Sequence, residues 1–138
     1  MRKITNHQCP GSSLNANIDI VVNDAPGGGG ANMSYSVIGK DDAGEPVFCT
    51  DVEFQNGMPS EVGVNGIGME ALFAINIDRL RGFQYARLED GTFDYNTPGK
   101  YACESNALAL SHTEAALEAL HSRTRARVER KVEGTPAV

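Results

Sequence analysis

The residues whose types and spacing most suggest a binding chemistry are arginines near the C-terminal end of the chain. The protein has 138 residues and a net charge of −6, yet five of its 12 Lys and Arg residues lie between Arg123 and Lys131. At 100° per helical residue, Arg123 and Arg127 share one side of a helix, and Thr124 borders it. Guanidinium groups bind phosphate oxygens in pairs, and a hydroxyl adds a donor. This pattern favours binding of a small phosphorylated anion; the alternative is compensation of the helix dipole.

A second pair of residues is suited to reading a nucleobase. Phe83 falls at the end of one predicted helix, and Asn106 falls near the start of the next. Stacking of a base on an aromatic ring contributes about 1–3 kcal/mol, and an Asn amide can pair with an adenine edge. We expect the two residues to form a pocket for one purine. The alternatives are that Phe83 belongs to the core and that Asn106 only starts a helix.

The sequence offers little for catalysis or metal binding. Cys9, Cys49 and Cys103 include no Cys-x-x-Cys pair, and the three His residues have no partner at metal-ligand spacing. No Gly-x-Ser-x-Gly motif occurs. The glycines at 27–30 are flanked by neither a dinucleotide fingerprint nor a P-loop context, so they predict a loop. We expect no catalytic residue, no metal and no cofactor.

Two periodicities divide the chain. Apolar residues alternate over residues 17–55, which is typical of half-buried strands, and the turn residues at 39–46 predict a β-hairpin. From Met69 the period changes to 3.6 and predicts a helix to about Gln84. A second helix is predicted from about Glu104 to Glu133, capped by Gly134. The long connection between the helices predicts a lid or a contact arm.

These elements predict an α+β fold. A small N-terminal antiparallel β domain, residues 1–62, is followed by an antiparallel two-helix hairpin, residues 63–138. The predicted inward faces are Met69, Leu72, Phe73, Asn76, Leu80 and Phe83 on the first helix, and Asn106, Leu110, Thr113, Leu117, Leu120, Thr124 and Val128 on the second. A bare hairpin exposes a long apolar edge, so we expect an oligomer.

Composition disfavours several classes of protein. No run of 18 apolar residues occurs, so no membrane span is expected. The basic start of the chain is followed by no apolar run, so no secretory signal is expected and the thiols are predicted to stay reduced. Binders of DNA or RNA polymers usually carry a basic domain, whereas this chain has one basic patch on an acidic body.

Three segments together resemble a known family. They read FQNGMPSEVGVNGIGMEALFAINIDRLRGFQ at 54–84, CESNALAL at 103–110 and RTRARVERKVEGT at 123–135. They are similar to the helical hairpin shared by two kinds of bacteriophage anti-immune sponge, the anti-CBASS and the anti-Thoeris sponges. Because residues 1–62 have the pattern of β structure, the chain resembles the anti-Thoeris type, which carries an N-terminal β domain.

The resemblance implies a ligand-binding function without catalysis. Members of the family capture cyclic nucleotide signals of bacterial defence in the cytoplasm of the infected bacterium, and they assemble as hexamers or related dimers. It implies that this chain binds the glycocyclic ADP-ribose of Thoeris, and cyclic di- and trinucleotides of CBASS, without hydrolysing them. By position, Phe83 and Asn106 correspond to the cyclic ADP-ribose pocket. Arg123 and Thr124 correspond to the pair that binds cyclic trinucleotide phosphates, with Arg127 one turn further on.

The sequence also departs from the family. Gly68 precedes the first helix where a Thr cap is usual, Lys131 replaces the usual Gly before VEGT, and the connection after Phe83 is longer than in compact members. Two other functions stay open. One is an enzyme that degrades a cyclic nucleotide, which would need a general base or a metal. The other is a phage structural or nucleic-acid-binding protein that uses the basic C-terminal helix.

Overall fold

The computed structural model describes residues 1–130, and the chain divides into two compact units, one comprising Met1–Ile67 and one beginning at Gly68. The predicted domain boundary, after residue 62, falls inside the first of these units. Ile67 forms a parallel bridge with Phe54 at the end of the sheet, which ties residues 63–67 to the β unit. No helix among residues 1–130 combines the length and the apolar character that crossing a bilayer requires.

The first unit is built on a four-stranded antiparallel sheet. Its strands lie in chain order, with one short helix between β1 and β2 and another after β4. The elements are β1 Arg2–Ile4, α1 Ser13–Ala16, β2 Ile18–Val22, β3 Ser34–Lys40, β4 Pro46–Glu53 and α2 Pro59–Val62. The three strands predicted from alternation and the hairpin between β3 and β4 are confirmed. β1 was not predicted, because three residues are too few to show a period of two.

The two faces of this sheet differ in polarity. Val22 is the most buried side chain of the face that carries the apolar alternation, with 1% of its surface exposed. On the opposite face, the Ser36 hydroxyl donates to Asp51 at 2.8 Å and the Ser34 hydroxyl donates to Glu53 at 2.8 Å. Pairs of this kind link neighbouring strands across a face that is not packed on a core.

The glycine-rich loop between β2 and β3 is a closed turn. The Gly27 N–H donates to the Ala31 carbonyl at 2.8 Å, and the N–H of Gly30, whose φ is +89°, donates to the Gly27 carbonyl at 2.9 Å. The Asp24 carboxylate accepts from the Met33 N–H at 3.0 Å, and this backbone hydrogen bond is the main cause of its lowered pKa. Two of the loop N–H groups are therefore bonded within the loop.

The second unit contains two helices and a β-hairpin. Its elements are α3 Met69–Gln84, β5 Tyr85–Arg87, β6 Phe93–Pro98 and α4 Glu104–Glu129. The predicted bounds of α3 are confirmed, and its N-cap Gly68 makes no side-chain capping bond. α4 ends at Glu129 with Arg130 as its C-cap, earlier than predicted. The predicted Gly134 cap lies outside the described residues.

The connection predicted as a lid or a contact arm contains a two-stranded antiparallel sheet, and its role as a lid or arm stays a prediction. β5 pairs with β6, and the turn places Gly91 at φ +87°. The Asp90–Gly91 dipeptide is a strong hairpin signal, and Phe93, Tyr95 and Thr97 alternate after it.

The packing of α3 against α4 buries Ile77 and Leu110, which are 5% and 4% exposed. Asn76 was predicted to face inward, but it is exposed, and its amide donates to the Leu72 carbonyl at 3.1 Å. Ile77 takes the inward position because an amide can satisfy its hydrogen bonds at the surface and an aliphatic side chain gains by burial.

The predicted inward stripe is also wrong at the end of α4. Thr124 is exposed and Val128 is 57% exposed, whereas Arg127 is 8% exposed. The inward stripe of α4 runs at helical spacing from the buried Leu110 through the half-buried Thr113 and Leu120, and it reaches position 127 rather than 128.

The end of α3 contacts the first half of α4. The Gln84 side-chain oxygen accepts from the Cys103 N–H at 2.8 Å, and Arg81 forms an ion pair with Glu114 at 3.1 Å. The α+β class with an N-terminal antiparallel sheet and a C-terminal helix is confirmed. The contacts are those expected of a helical hairpin, which stays a prediction together with the oligomer.

Candidate functional site

Phe83 lies in the last turn of α3 and is half-buried. Its ring meets the Tyr101 ring edge to face, with centroids 6.4 Å apart and an interplanar angle of 83°. The guanidinium carbon of Arg79, one helical turn earlier, lies 5.5 Å from the centroid of the Phe83 ring. The ring is thus bordered by a second aromatic ring and a cation.

Asn106 lies in the first turn of α4. Its side-chain amide donates to the Tyr101 carbonyl at 3.3 Å, and its backbone N–H donates to the Cys103 sulfur at 3.4 Å. The Tyr101 ring contacts Phe83, and the Tyr101 carbonyl contacts Asn106. Phe83 and Asn106, the two predicted pocket residues, therefore both contact Tyr101 in the loop before α4.

A close backbone approach places this loop beside Phe83. The Gly99 N–H donates to the Gln84 carbonyl at 2.9 Å. A Cβ atom at position 99 would lie 2.4 Å from the Phe83 carbonyl oxygen, which is too close for any residue but glycine. Gly99 thereby fixes the path of the chain into Tyr101.

Two cations adjoin the Phe83–Tyr101 pair. Besides Arg79 at Phe83, the Lys100 ammonium lies 5.5 Å from the centroid of the Tyr101 ring. Aromatic faces with adjoining cations suit a ligand that combines a nucleobase with phosphate groups. We call Phe83, Tyr101, Asn106, Arg79 and Lys100 the aromatic site.

Three members of the aromatic site were not predicted from the sequence. Arg79 was within reach of sequence reasoning, because it precedes Phe83 by four residues and so shares its helix face. Tyr101 and Lys100 lie in the loop before α4, and no periodicity indicates where a loop residue packs.

The arginine turns at the end of α4 have a different geometry. Arg123 and Thr124 are exposed, whereas Arg127 is buried. Arg125 forms an ion pair with Glu118, two turns back on the same helix. An open recess of about 620 Å³ has Thr124 in its lining, but within the described chain neither Arg123 nor Arg127 lines it. The three predicted residues are therefore not gathered into one cavity in the part of the chain that the structure describes.

Side chains capable of binding a metal are not clustered in the described chain. Across residues 1–130, no group of three or more His, Cys, Asp and Glu residues is arranged to hold an ion.

Comparison with known proteins gives one informative relative. No protein-family model matches the chain. It is 38% identical over 109 residues to Thoeris anti-defense 1 of Bacillus phage SBSphiJ7, an alignment that covers 79% of this chain. The chain is a homologue of a phage anti-Thoeris protein. It spans 64% of the length of that relative, which is less than two thirds.

This similarity confirms the resemblance to anti-Thoeris proteins. The name of the relative states what the relative opposes. It names no ligand, no residue and no assembly, so the roles of Phe83, Asn106, Arg123, Thr124 and Arg127 stay predictions.

Proposed function

We propose that this chain is a sponge that sequesters cyclic ADP-ribose signals, in particular glycocyclic ADP-ribose, and does not hydrolyse them. The observation that carries the proposal is the aromatic site, in which Tyr101 joins Phe83 and Asn106 beside Arg79. The homology to a Thoeris anti-defence protein supports it.

The aromatic site has a group for each part of such a ligand. The adenine ring stacks on Phe83, an interaction that contributes about 1–3 kcal/mol. The amide NH₂ of Asn106 donates to the Tyr101 carbonyl, which orients the side-chain oxygen as an acceptor for an adenine amino group. Arg79 and Lys100 supply positive charge for the diphosphate.

Capture without release requires a site whose residues are ordered before the ligand arrives, since ordering them on binding would cost affinity. The Gln84–Cys103 and Gly99–Gln84 hydrogen bonds hold the loop that carries Tyr101. A pre-ordered pocket favours tight capture, which is what sequestration requires.

We extend the proposal to a second ligand class. Arg123 and Thr124, with Arg127 one turn further on, bind the phosphates of cyclic di- and trinucleotides. The site forms when several copies of α4 converge in a homo-oligomer, which we expect to be a hexamer. Like charges brought together in this way repel one another until a polyanionic ring binds. The protein acts in the cytoplasm of the infected host, where these signals are made.

Ligand recovery after thermal unfolding tests the proposal. The purified full chain is incubated with each cyclic ADP-ribose isomer and its melting temperature is measured. The protein is then washed and heat-denatured, and the released compound is identified by mass spectrometry. We expect at least one isomer to raise the melting temperature and to be recovered unchanged. Release of a linear or hydrolysed product would establish an enzyme, and an unchanged melting temperature with every isomer would refute the sponge.

A further inference from the structure

The second unit contains another cavity, of about 450 Å³, where the β5–β6 hairpin meets the start of α4. Its volume lies in the range of small-molecule pockets. No residue of the aromatic site lines it, but the two are neighbours, because the lining residue Cys103 accepts from the Asn106 N–H. The lining side chains that bear on the argument are Gln84, Tyr85, Tyr95, Asn96, Cys103 and Glu104.

Tyr85 and Tyr95 line this cavity, and Phe93, which is not part of the lining, contacts Tyr95. The Tyr85 and Tyr95 rings lie 4.8 Å apart between centroids, and Phe93 lies 6.1 Å from Tyr95. The Arg87 guanidinium covers Phe93 at 4.4 Å and donates to the Gly91 carbonyl at 2.7 Å. Tyr95 is nevertheless 59% exposed. An exposed ring that its neighbours hold in place is a pre-ordered stacking surface for a planar heterocycle.

The polarity of this cavity is opposite to that of the aromatic site. None of the described residues that line it is basic, and Glu104 adds a carboxylate to the amide of Asn96. A carboxylate without an adjoining cation repels phosphate and accepts hydrogen bonds from N–H donors. The ligand is therefore expected to be uncharged where it touches the cavity and to present N–H groups.

Among nucleobases, guanine fits this requirement best. Its pairing edge carries a ring N–H next to an amino group, so one carboxylate can accept from both, whereas adenine presents an acceptor at the corresponding ring position. We propose that this cavity binds a guanine nucleoside, with the base stacked on Tyr95 and its N–H donors bonded to Glu104. The site is additional to the proposed capture of cyclic ADP-ribose and does not depend on it.

The three free cysteines allow a test in the full-length protein. Cys103 lines the cavity, whereas Cys9 and Cys49 are exposed in the first unit and serve as internal controls. Guanosine is expected to slow the reaction of Cys103 with a maleimide, followed by peptide mass spectrometry, and to leave the other two rates unchanged. Because the chain has no Trp, quenching of tyrosine fluorescence gives an independent titration.

Two variants and two comparisons make the test specific. Glu104→Gln keeps the volume but loses the charge, and Tyr95→Ala removes the platform; each is expected to weaken guanosine binding on the order of tenfold. Asn76→Ala, at an exposed residue of α3 whose amide is bonded within its own helix, is expected to leave guanosine binding unchanged. Adenosine is expected to bind about tenfold more weakly than guanosine.

The possible results of this test separate the identity of the base from the existence of the site. Equal protection of Cys103 by adenosine and guanosine, or undiminished guanosine binding by Glu104→Gln, would overturn the assignment of the base. Absence of protection at millimolar guanosine would overturn the site itself. Circular dichroism of Glu104→Gln, the more conservative variant, verifies that lost binding does not reflect unfolding.

Discussion

The two candidate sites at the ends of α4 are built in different ways. At the start of the helix, Tyr101 from a loop contacts both Phe83 of α3 and Asn106 of α4. At its end, Arg123 and Thr124 project from a single helix and are exposed. A site assembled from three elements can be complete in one chain. A site on one convex helix surface encloses a ligand only when other copies supply the remaining walls.

This contrast implies that the two sites respond differently to assembly. The aromatic site should bind one ligand per chain, and its affinity should depend on its own side chains. The arginine site should bind one ligand per group of chains, so that one substitution changes several contacts of the same ligand. The predictions below separate these behaviours, beginning with the largest expected effect.

Arg123→Ala is expected to reduce the affinity for a cyclic trinucleotide by about a hundredfold or more. Charge-assisted hydrogen bonds contribute about 1.5–3 kcal/mol each, and the substitution removes one arginine from every copy around the ligand. Isothermal titration calorimetry measures the loss. Arg125→Ala is the matched control, because Arg125 pairs with Glu118 on the same helix. If Arg125→Ala costs as much affinity, the trinucleotide responds only to overall charge.

Phe83→Ala is expected to reduce the affinity for cyclic ADP-ribose by about tenfold to a hundredfold, since stacking contributes about 1–3 kcal/mol. Trinucleotide binding should stay within about twofold of wild type, because the arginine site contains no part of α3. Leu88→Ala, which shortens an apolar side chain that is 49% exposed in the same unit, is the control. Equal losses for both ligands would contradict the existence of two separate sites.

Asn106→Ala is expected to lower cyclic ADP-ribose affinity by about fivefold, corresponding to about 1 kcal/mol for one neutral hydrogen bond. The variant loses both the acceptor for adenine and the bond that holds the Tyr101 carbonyl. Asn76→Ala on α3 is the matched control, since Asn76 is exposed and bonded within its own helix turn. A ligand affinity that is unchanged in Asn106→Ala would remove Asn106 from the site.

Low pH should destabilise both folded units and should not affect one candidate binding site more than the other. The Lys40 side chain lowers the pKa of Asp19, and the Thr97 hydroxyl lowers the pKa of Asp94, each from an ordinary value of 3.8. A lowered folded-state pKa contributes stability that is present above the unfolded pKa and is lost as pH falls through the folded value. The melting temperature should therefore decrease as pH falls below about 4.

Asp94→Asn is the test variant for the pH dependence. It should melt at a lower temperature than wild type at pH 7 and show a smaller decrease in acid, because an amide does not titrate. An identical pH dependence in the variant and wild type would show that Asp94 makes no contribution.

Much of the architecture follows from local patterns in the sequence. The alternation over residues 17–55 predicted three strands, and the 3.6-residue period predicted α3 with its ends. The wrong predictions concern which of two adjacent residues in a helix is buried. Ile77 rather than Asn76 is buried, and Arg127 rather than Val128 is buried. A helical stripe a hundred degrees wide includes both members of such pairs, so only the packing partner selects between them.

The sequence alone was sufficient for the fold class, the helix that ends at Phe83 and the nomination of Phe83 and Asn106, because these rest on short-range spacing and residue chemistry. It was not sufficient for what surrounds them. Tyr101 joins Phe83 to Asn106 only because the chain returns at Gly99 against the Phe83 carbonyl. That contact links residues separated by a hairpin, and the free energy of such a contact comes from packing and backbone hydrogen bonds that no local period encodes.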